Sequence, residues 1–331
     1  MIGHWSRLAP WLGRRWRLRL GLVVLALIAL PSIFAEWLAA DAPIFASGAR
    51  GTFVLPAVVE PAAYHELDRR GIAELHAGDT AIWPLIRCGP RSDCNAGASA
   101  PPTLAHPLGT DAAGRDIFAR VIYGGRHALG LALAALLLAA SLGVSMGALA
   151  GALGGVWDEL LARPVELVQT FPAIIVVAVV QAVFPDAGGW ALVLAVGAVR
   201  WAEVARHVRA TVLRVQAEPY VLASRALGAG RMRILTRHVL PEALPAVVVS
   251  LMFGAMSVIL LEVAVAFLGL GSDASWGGLI AQGLDGTAPR GAMAAAAFVA
   301  ISVIAVYLVA DSLESAVRAR VATTTPEWRS G

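Results

Sequence analysis

Apolar blocks alternate along this chain with short polar stretches rich in arginine. Blocks of about 20 apolar residues are long enough to cross a bilayer as helices, and six are predicted. The first is Leu18–Ala40, with Glu36 near its far end. The second, Ala128–Leu153, carries no charge. The third, Leu160–Phe184, is entered through Arg163 and Glu166. The fourth starts near Trp190 and meets Arg200 and Glu203 before Arg206. The fifth, Ala243–Leu270, has Glu262 as its one charge, and the sixth is Gly291–Ala310. The expected fold class is an all-α membrane protein with six transmembrane helices.

Arginine in the short connections sets the expected orientation. Arg7, Arg14, Arg15, Arg17 and Arg19 precede the first block. Arg206, Arg209, Arg214, Arg225, Arg231, Arg233 and Arg237 follow the fourth, and Arg318, Arg320 and Arg329 close the chain. The alternate connections, 185–189 and 271–290, carry almost none. Both termini, 1–17 and 314–331, are therefore expected in the cytoplasm. Helix 1 (18–40) leads to a periplasmic segment (41–126). A five-helix core (127–313) follows and contains a cytoplasmic loop at 206–242. Reading the first block as a cleavable signal peptide fits Leu38-Ala39-Ala40 loosely, but the apolar run is long for a signal core.

Composition supports lipid burial. The chain has 331 residues, 58% hydrophobic and 15% charged, with a mean hydropathy of +0.71; soluble domains are less apolar and more charged. All 26 basic residues are arginine, and the net charge is only +3. These arginines lie between apolar blocks instead of on one polar face, which argues against a nucleic-acid binder. Cys88 and Cys94 are too few for a disulfide scaffold or a tetrahedral zinc site. In an exported segment they either bond or stay as two thiols. That segment also holds Trp83 and enough apolar residues for a small folded cap or an ordered loop.

Several patterns suggest packing or function. Gly143, Gly147, Gly151 and Gly155 recur every four residues, either as a face for a neighbouring helix or as ordinary membrane-helix glycine. Glu262, a carboxylate at membrane depth, needs a helix-to-helix partner or a watery path. Arg200 and Glu203, three apart on a helix, can neutralise each other. In the 206–242 loop, Pro219 is suited to open a helix. Gly228-Ala229-Gly230 breaks that helix, and a basic second one, Arg231–Leu240, is ended by Pro241. This predicts two short helices hinged at glycine, which either project as a docking element or lie on anionic lipid. There is no phosphate-binding loop of the G-x-x-x-x-G-K-[ST] type. His65 and Glu66 are not followed by the second histidine of a zinc-protease motif, no set of carboxylates forms a proton relay, and no catalytic residue is expected.

The stretch Leu222-Ala223-Ser224-Arg225-Ala226-Leu227-Gly228, then nine residues and His238-Val239-Leu240-Pro241, resembles the EAA loop of ABC-importer permeases. Leu222 stands where the motif has Glu, and Ser224 where it has its second Ala. Three further stretches strengthen the resemblance: 108–116 (LGTDAAGRD), Tyr123-Gly124-Gly125-Arg126, and Phe267-Leu268-Gly269-Leu270-Gly271 with Ser275-Trp276-Gly277. Together they are similar to the C-type permeases of dipeptide, oligopeptide and nickel importers. Asp311 fits as well, but Arg318-Ala319-Arg320 replaces the usual Asp-Pro-Arg close. Ala39-Ala40-Asp41-Ala42-Pro43 and Trp83-Pro84-Leu85-Ile86-Arg87 resemble the branch importing longer peptides, including the peptide antibiotic microcin C.

The resemblance implies the type I importer fold and a subunit that is not itself an enzyme. Its implied partners are a homologous B-type permease, two ABC ATPase subunits that hold ATP and magnesium, and a periplasmic solute-binding protein delivering peptide. It implies that Tyr220, Ala223, Ser224, Arg225, Ala226, Leu227, Gly228, His238, Leu240 and Pro241 form the ATPase-coupling element. Substrate-binding residues stay unassigned, and no metal or bound cofactor is expected on this chain. A nickel or metal-chelate importer is the alternative within the family. The predicted membrane cores hold no His or Cys to ligate a metal. A proton-coupled secondary transporter is the alternative from another class.

Overall fold

The computed structural model describes residues 5–48, 51–59, 61, 64, 67–272 and 275–324; His65, Glu66 and Arg329 lie outside them. Thirteen α-helices occur among the described residues. They are α1 (Trp5–Ile33), α2 (Ala35–Leu38), α3 (Pro56–Val59), α4 (Arg69–Leu75), α5 (Ile117–Leu153), α6 (Gly155–Thr170), α7 (Ala173–Val183), α8 (Gly189–Gln216), α9 (Pro219–Ala226), α10 (Arg231–Ile234), α11 (Leu240–Val265), α12 (Trp276–Leu284) and α13 (Pro289–Thr324). Three short strands, β1 (Phe45–Gly48), β2 (Gly51–Val54) and β3 (Thr80–Ile82), form an antiparallel sheet in the order β2-β1-β3. The contacts divide the chain into two compact units. One comprises residues 1–25, 131–261 and 302–331, and the other residues 26–130 and 262–301.

By length and composition, four described helical stretches can cross a membrane: Trp16–Ile33, Ile117–Leu153, Arg231–Leu270 and Pro289–Arg318. A fifth arises if Asp158–Thr170 and Ala173–Val183, bent by 83°, count as one span. The predicted third span is thus two helices. Pro172 lacks an N–H and biases Phe171 towards the extended backbone it adopts. The predicted fourth block, α8, is long enough to cross but is not in this set. Arg200, Glu203 and Arg206 interrupt its apolar run.

Other boundaries also move. The second long helix begins at Ile117, not near Ala128. Its first turns carry Arg120 and Arg126, which looked too polar for a span but are neutralised by acids elsewhere. The predicted cytoplasmic loop from Arg206 begins as helix, because α8 continues to Gln216. Pro241 does not end a helix: a π-turn, Leu235–Val239, runs into α11 across it. The wider turn accommodates the missing N–H and the ring without breaking the axis.

In the first unit, three glycines of α5 lie against α8. A Cβ at Gly143 would sit 2.6 Å from Val204 Cβ, one at Gly151 2.6 Å from Val212 Cβ, and Gly147 faces the Ala205 carbonyl. A stripe of missing side chains lets two backbones approach. Gly155 is not part of it; with φ +57 and no neighbour within 4 Å, it belongs to the turn into α6. Asp158 of α6 accepts two hydrogen bonds from Arg209 of α8, at 2.5 and 2.7 Å. Gly21 of α1 meets Ala305 and Val309 of α13 in the same manner.

In the second unit, the segment after α2 is a small folded cap. Ala42, Tyr64 and Ile72 form its buried centre, with Ala57, Leu75 and Trp83 packed around them. The Tyr64 hydroxyl meets His76 Nε2 at 2.5 Å, and His76 Nδ1 meets Asp79 Oδ2 at 2.9 Å. Cys88 and Cys94 are joined by a disulfide. Asp41 holds that loop by accepting from the Gly89 amide and the Ser92 hydroxyl. The segment is also tied to residues far along the chain: the Ala112 amide donates to Thr287 O, Arg115 reaches Gln282, and Arg290 donates to Ala100 O.

Two stretches singled out by sequence interlock here. The Trp276 side chain is fully buried and donates to Val121 O at 2.8 Å. Its ring lies over Gly124, where a Cβ would collide with it, and beside Gly125, where a Cβ would collide with Ser32 Oγ and press on the ring. The 108–116 stretch is a buried ionic knot. Asp111 Oδ2 accepts from Arg115 Nε at 2.8 Å and from Arg120 Nη1 at 2.6 Å, and its Oδ1 accepts from the amides of Ala113 and Arg115. Asp116 caps α5 by accepting from the Ala119 amide, while its other oxygen meets His106 Nδ1 at 2.7 Å.

Candidate functional site

The α8–α11 connection is a helical hairpin with one face anchored and one face bare. Glu218 is extended and Pro219 occupies the first helical position of α9, where its fixed φ suits the turn. Val221 is fully buried, as are Val212, Val215, Ile234 and Val239, and together these residues form one apolar cluster. Tyr220 donates to Glu242 at 2.9 Å, and Arg214 pairs with the other oxygen of the same carboxylate at 3.2 Å. Burial, then the Glu242 carboxylate, pushes the Tyr220 phenol up to about 12, so it remains a neutral donor at neutral pH. The His238 ring packs edge-on against Tyr220.

The end of α9 is a Schellman motif. The Gly228 amide donates to Arg225 O and the Ala229 amide to Ser224 O, each at 3.0 Å. Gly228 has φ +88, the left-handed position this motif requires and glycine occupies without steric cost. Gly230, with φ −68, is instead the ordinary extended residue before α10. The tip between the two helices is apolar and uncovered: Leu222, Leu227 and Met232 are 50%, 89% and 67% exposed. Ala223, Arg225, Ala226, Gly228 and Pro241 are exposed with them, while Ser224, His238 and Leu240 are half-buried. Of the residues named from sequence as a coupling element, Tyr220 and 223–228 lie on α9 and its cap, His238 on the π-turn, and Leu240 and Pro241 in the first turn of α11, with Val221 as the buried anchor.

Arg200 and Glu203 form an ion pair, Nη1 to Oε2, at 2.5 Å. They line a cleft of about 460 Å³ in the first unit, together with Arg206, Gln169, Phe171 and Ser257. Arg206 donates to Gln169 Oε1 at 2.9 Å. The break between α6 and α7 opens onto this cleft through Phe171. Non-helical backbone at membrane depth is tolerated where it is buried in protein or lines a watery cavity. The cleft depends on that break, which hydropathy along the chain does not show.

Glu262 of α11 is 3% exposed. His127 Nδ1 lies 3.9 Å from its Oε1, too long for a direct hydrogen bond. His127 lies within α5, so the expectation that the spans hold no histidine is corrected. His127 lies one residue before the predicted start of the second block, Ala128. Among the described residues, no group of three or more His, Cys, Asp or Glu is placed to hold a metal ion.

Comparison with known proteins agrees with this architecture. Residues 143–323 match the family described as binding-protein-dependent transport system inner membrane component. The oligopeptide transport system permease protein OppC of Bacillus subtilis (strain 168) is 33% identical over 224 residues, covering 66% of this chain and 73% of that protein. A protein provisionally named a peptide permease in Brucella suis biovar 1 (strain 1330) is 33% identical over 182 residues, 54% of this chain and 60% of that one. The MetNI methionine ABC transporter, solved in an inward-facing conformation, is similar in fold. The match has 20% identity and a TM-score of 0.52, and covers 61% of this chain and 97% of that chain. With its matched domain, long apolar helices and fold in common with a solved transporter, the chain belongs to the inner-membrane permease components of binding-protein-dependent ABC transport systems.

Proposed function

We propose that this permease conducts peptides, and that the α9–α10 hairpin is where ATPase subunits grip it. The observation that carries the coupling role is the hairpin tip. Leu227 and Met232 stand exposed beside a glycine-fixed turn whose opposite face is locked down by Val221. A docking element needs this combination of a rigid base and an uncovered apolar knob. Similarity to relatives named as peptide permeases supports the cargo. The partners in this reading are a homologous B-type permease, two ATPases that bind ATP and magnesium and carry out hydrolysis, and a solute-binding protein. ATP binding would favour one of two global states, and the hairpin would pass that bias to the membrane helices.

The reading includes six spans, with α8 as the fourth. Its charges then face a cleft instead of lipid, as intramembrane ionisable residues do. Both termini face the cytoplasm and the 41–126 segment the periplasm. A reporter fused after Gly331 is expected to read as cytoplasmic, and a periplasmic reading overturns the topology together with the coupling role.

The cargo is tested by uptake. Cells lacking this subunit are expected to lose uptake of a labelled oligopeptide and to regain it when the chain is restored. Loss of nickel uptake with peptide uptake intact would show a metal-chelate importer instead.

A further inference from the structure

The cleft beside the α6–α7 break contains an arrangement that peptide passage alone does not demand. A helix through lipid is most stable with no charge, yet α8 places Arg200 and Glu203 at 11 and 14 residues from its start, about 16–21 Å along its axis. Neither is fully exposed or fully buried, and both line the cleft with Arg206 and Gln169. The other walls are apolar, including Val196, Val258 and Leu261.

We propose that the Arg200–Glu203 ion pair is an exchange site for the charged termini of a peptide in transit. It opens so that Glu203 meets the ammonium and Arg200 the carboxylate. The proposal rests on the reading of the chain as a peptide-conducting permease and names the residues that touch the cargo. Peptides of different sequence share only their amides and their two termini, so a path accepting many sequences can recognise only those. A lone Arg or Glu in a poorly hydrated cleft would hold an opposite charge too tightly for passage. A pair already joined at 2.5 Å must break its own ion pair before it gains one with each terminus, and that loss offsets part of the gain. The net gain is small, about 1 kcal/mol, and the cargo is admitted without being trapped. The Arg206–Gln169 hydrogen bond, which also faces the cleft, offers an amide partner for the backbone between the termini.

The test uses the assembled transporter in nanodiscs without the solute-binding protein, so that only the permease can discriminate. A photocrosslinking amino acid at Leu261 reports occupancy by one radiolabelled peptide at millimolar concentration. The peptide is supplied free, N-acetylated, C-amidated or doubly capped. The free form is expected to crosslink about fivefold more than the doubly capped form, the factor that about 1 kcal/mol of ion pairing provides. Glu203→Gln is expected to abolish the advantage of a free amine, and Arg200→Gln that of a free carboxylate, while Glu203→Asp retains both. Equal crosslinking of all four forms by the unmodified cleft overturns the proposal, whether or not the Gln variants assemble. So does a Gln variant that assembles and keeps the full preference. If no form crosslinks while the complete system still imports peptide, the exchange site is wrong and the peptide reading stands. If the complete system imports no peptide, the peptide reading itself fails.

Discussion

Replacing Gly228 with valine is expected to abolish transport while leaving the chain folded in the membrane. At φ +88 a β-branched residue is a steric outlier. A Cβ there meets no atom within 4 Å, so the penalty is purely conformational and stays local. Left-handed strain costs about 1–3 kcal/mol. The chain escapes it by unwinding the Schellman turn, which frees the Ser224 and Arg225 carbonyls and swings Leu227 and Met232 out of register. A penalty of about 1–3 kcal/mol lowers the population of the docking-competent hairpin roughly 5- to 150-fold. A valine side chain would also crowd a docked ATPase. Gly230→Val is expected to be far milder, because φ −68 and ψ 154 suit any residue. The measurement is co-purification of the ATPase subunits with each variant, beside peptide uptake. A Gly228→Val transporter that keeps its ATPases and the parental uptake rate would return the hairpin to a basic segment resting on lipid.

The second large effect belongs to Asp111. Its carboxylate is 2% exposed and accepts four hydrogen bonds, two from guanidinium groups. Arg120, also 2% exposed, lies in the opening turn of α5. Asp111→Ala removes the carboxylate that balances this buried charge. Breaking a buried pair from one side costs about 3–5 kcal/mol, which lowers the thermal midpoint of a large domain by roughly 6–20 °C. Glu159→Ala is the control. Its pair with Arg163 is exposed on both sides, where solvent screens the attraction and such pairs contribute little to stability. Thermal unfolding of the assembled, detergent-solubilised transporter compares them; a shift at Asp111 no larger than at Glu159 would show that the knot is dispensable.

The parts of this fold legible in the sequence are those governed by local chemistry. Length and apolarity marked most of the long helices. Pro219 and Gly228 marked the two ends of α9 because a fixed φ and a left-handed turn are properties of single residues. Spacing sufficed for Arg200 with Glu203, which pair within one helix. Failures arose where a local signal was offset from a distance. Arg120 and Arg126 made the start of α5 look like loop, but Asp111 and Glu36, 9 and 90 residues away, neutralise them. Pro241 read as a stop because a π-turn before it was not foreseen. Pro172 lies inside a long apolar run that reads as one span, and the chain breaks there. The cleft needs four helices, α6, α7, α8 and α11, to be placed before it exists, so no window of sequence shows it.

The ties between the 97–116 segment and the α12–α13 turn also set a timetable. Arg115 and its partner Gln282 are separated by 167 residues. At a synthesis rate of about 5–20 residues per second, roughly 8–33 s pass between the emergence of one and of the other. During that interval the disulfide loop and the three-stranded sheet can form from sequence already made, but the Ala112–Thr287 and Arg290–Ala100 bonds cannot. Each newly made molecule therefore carries an unfinished cap until the turn before α13 has been delivered, and a chain stalled before that point presents an open seam to proteases.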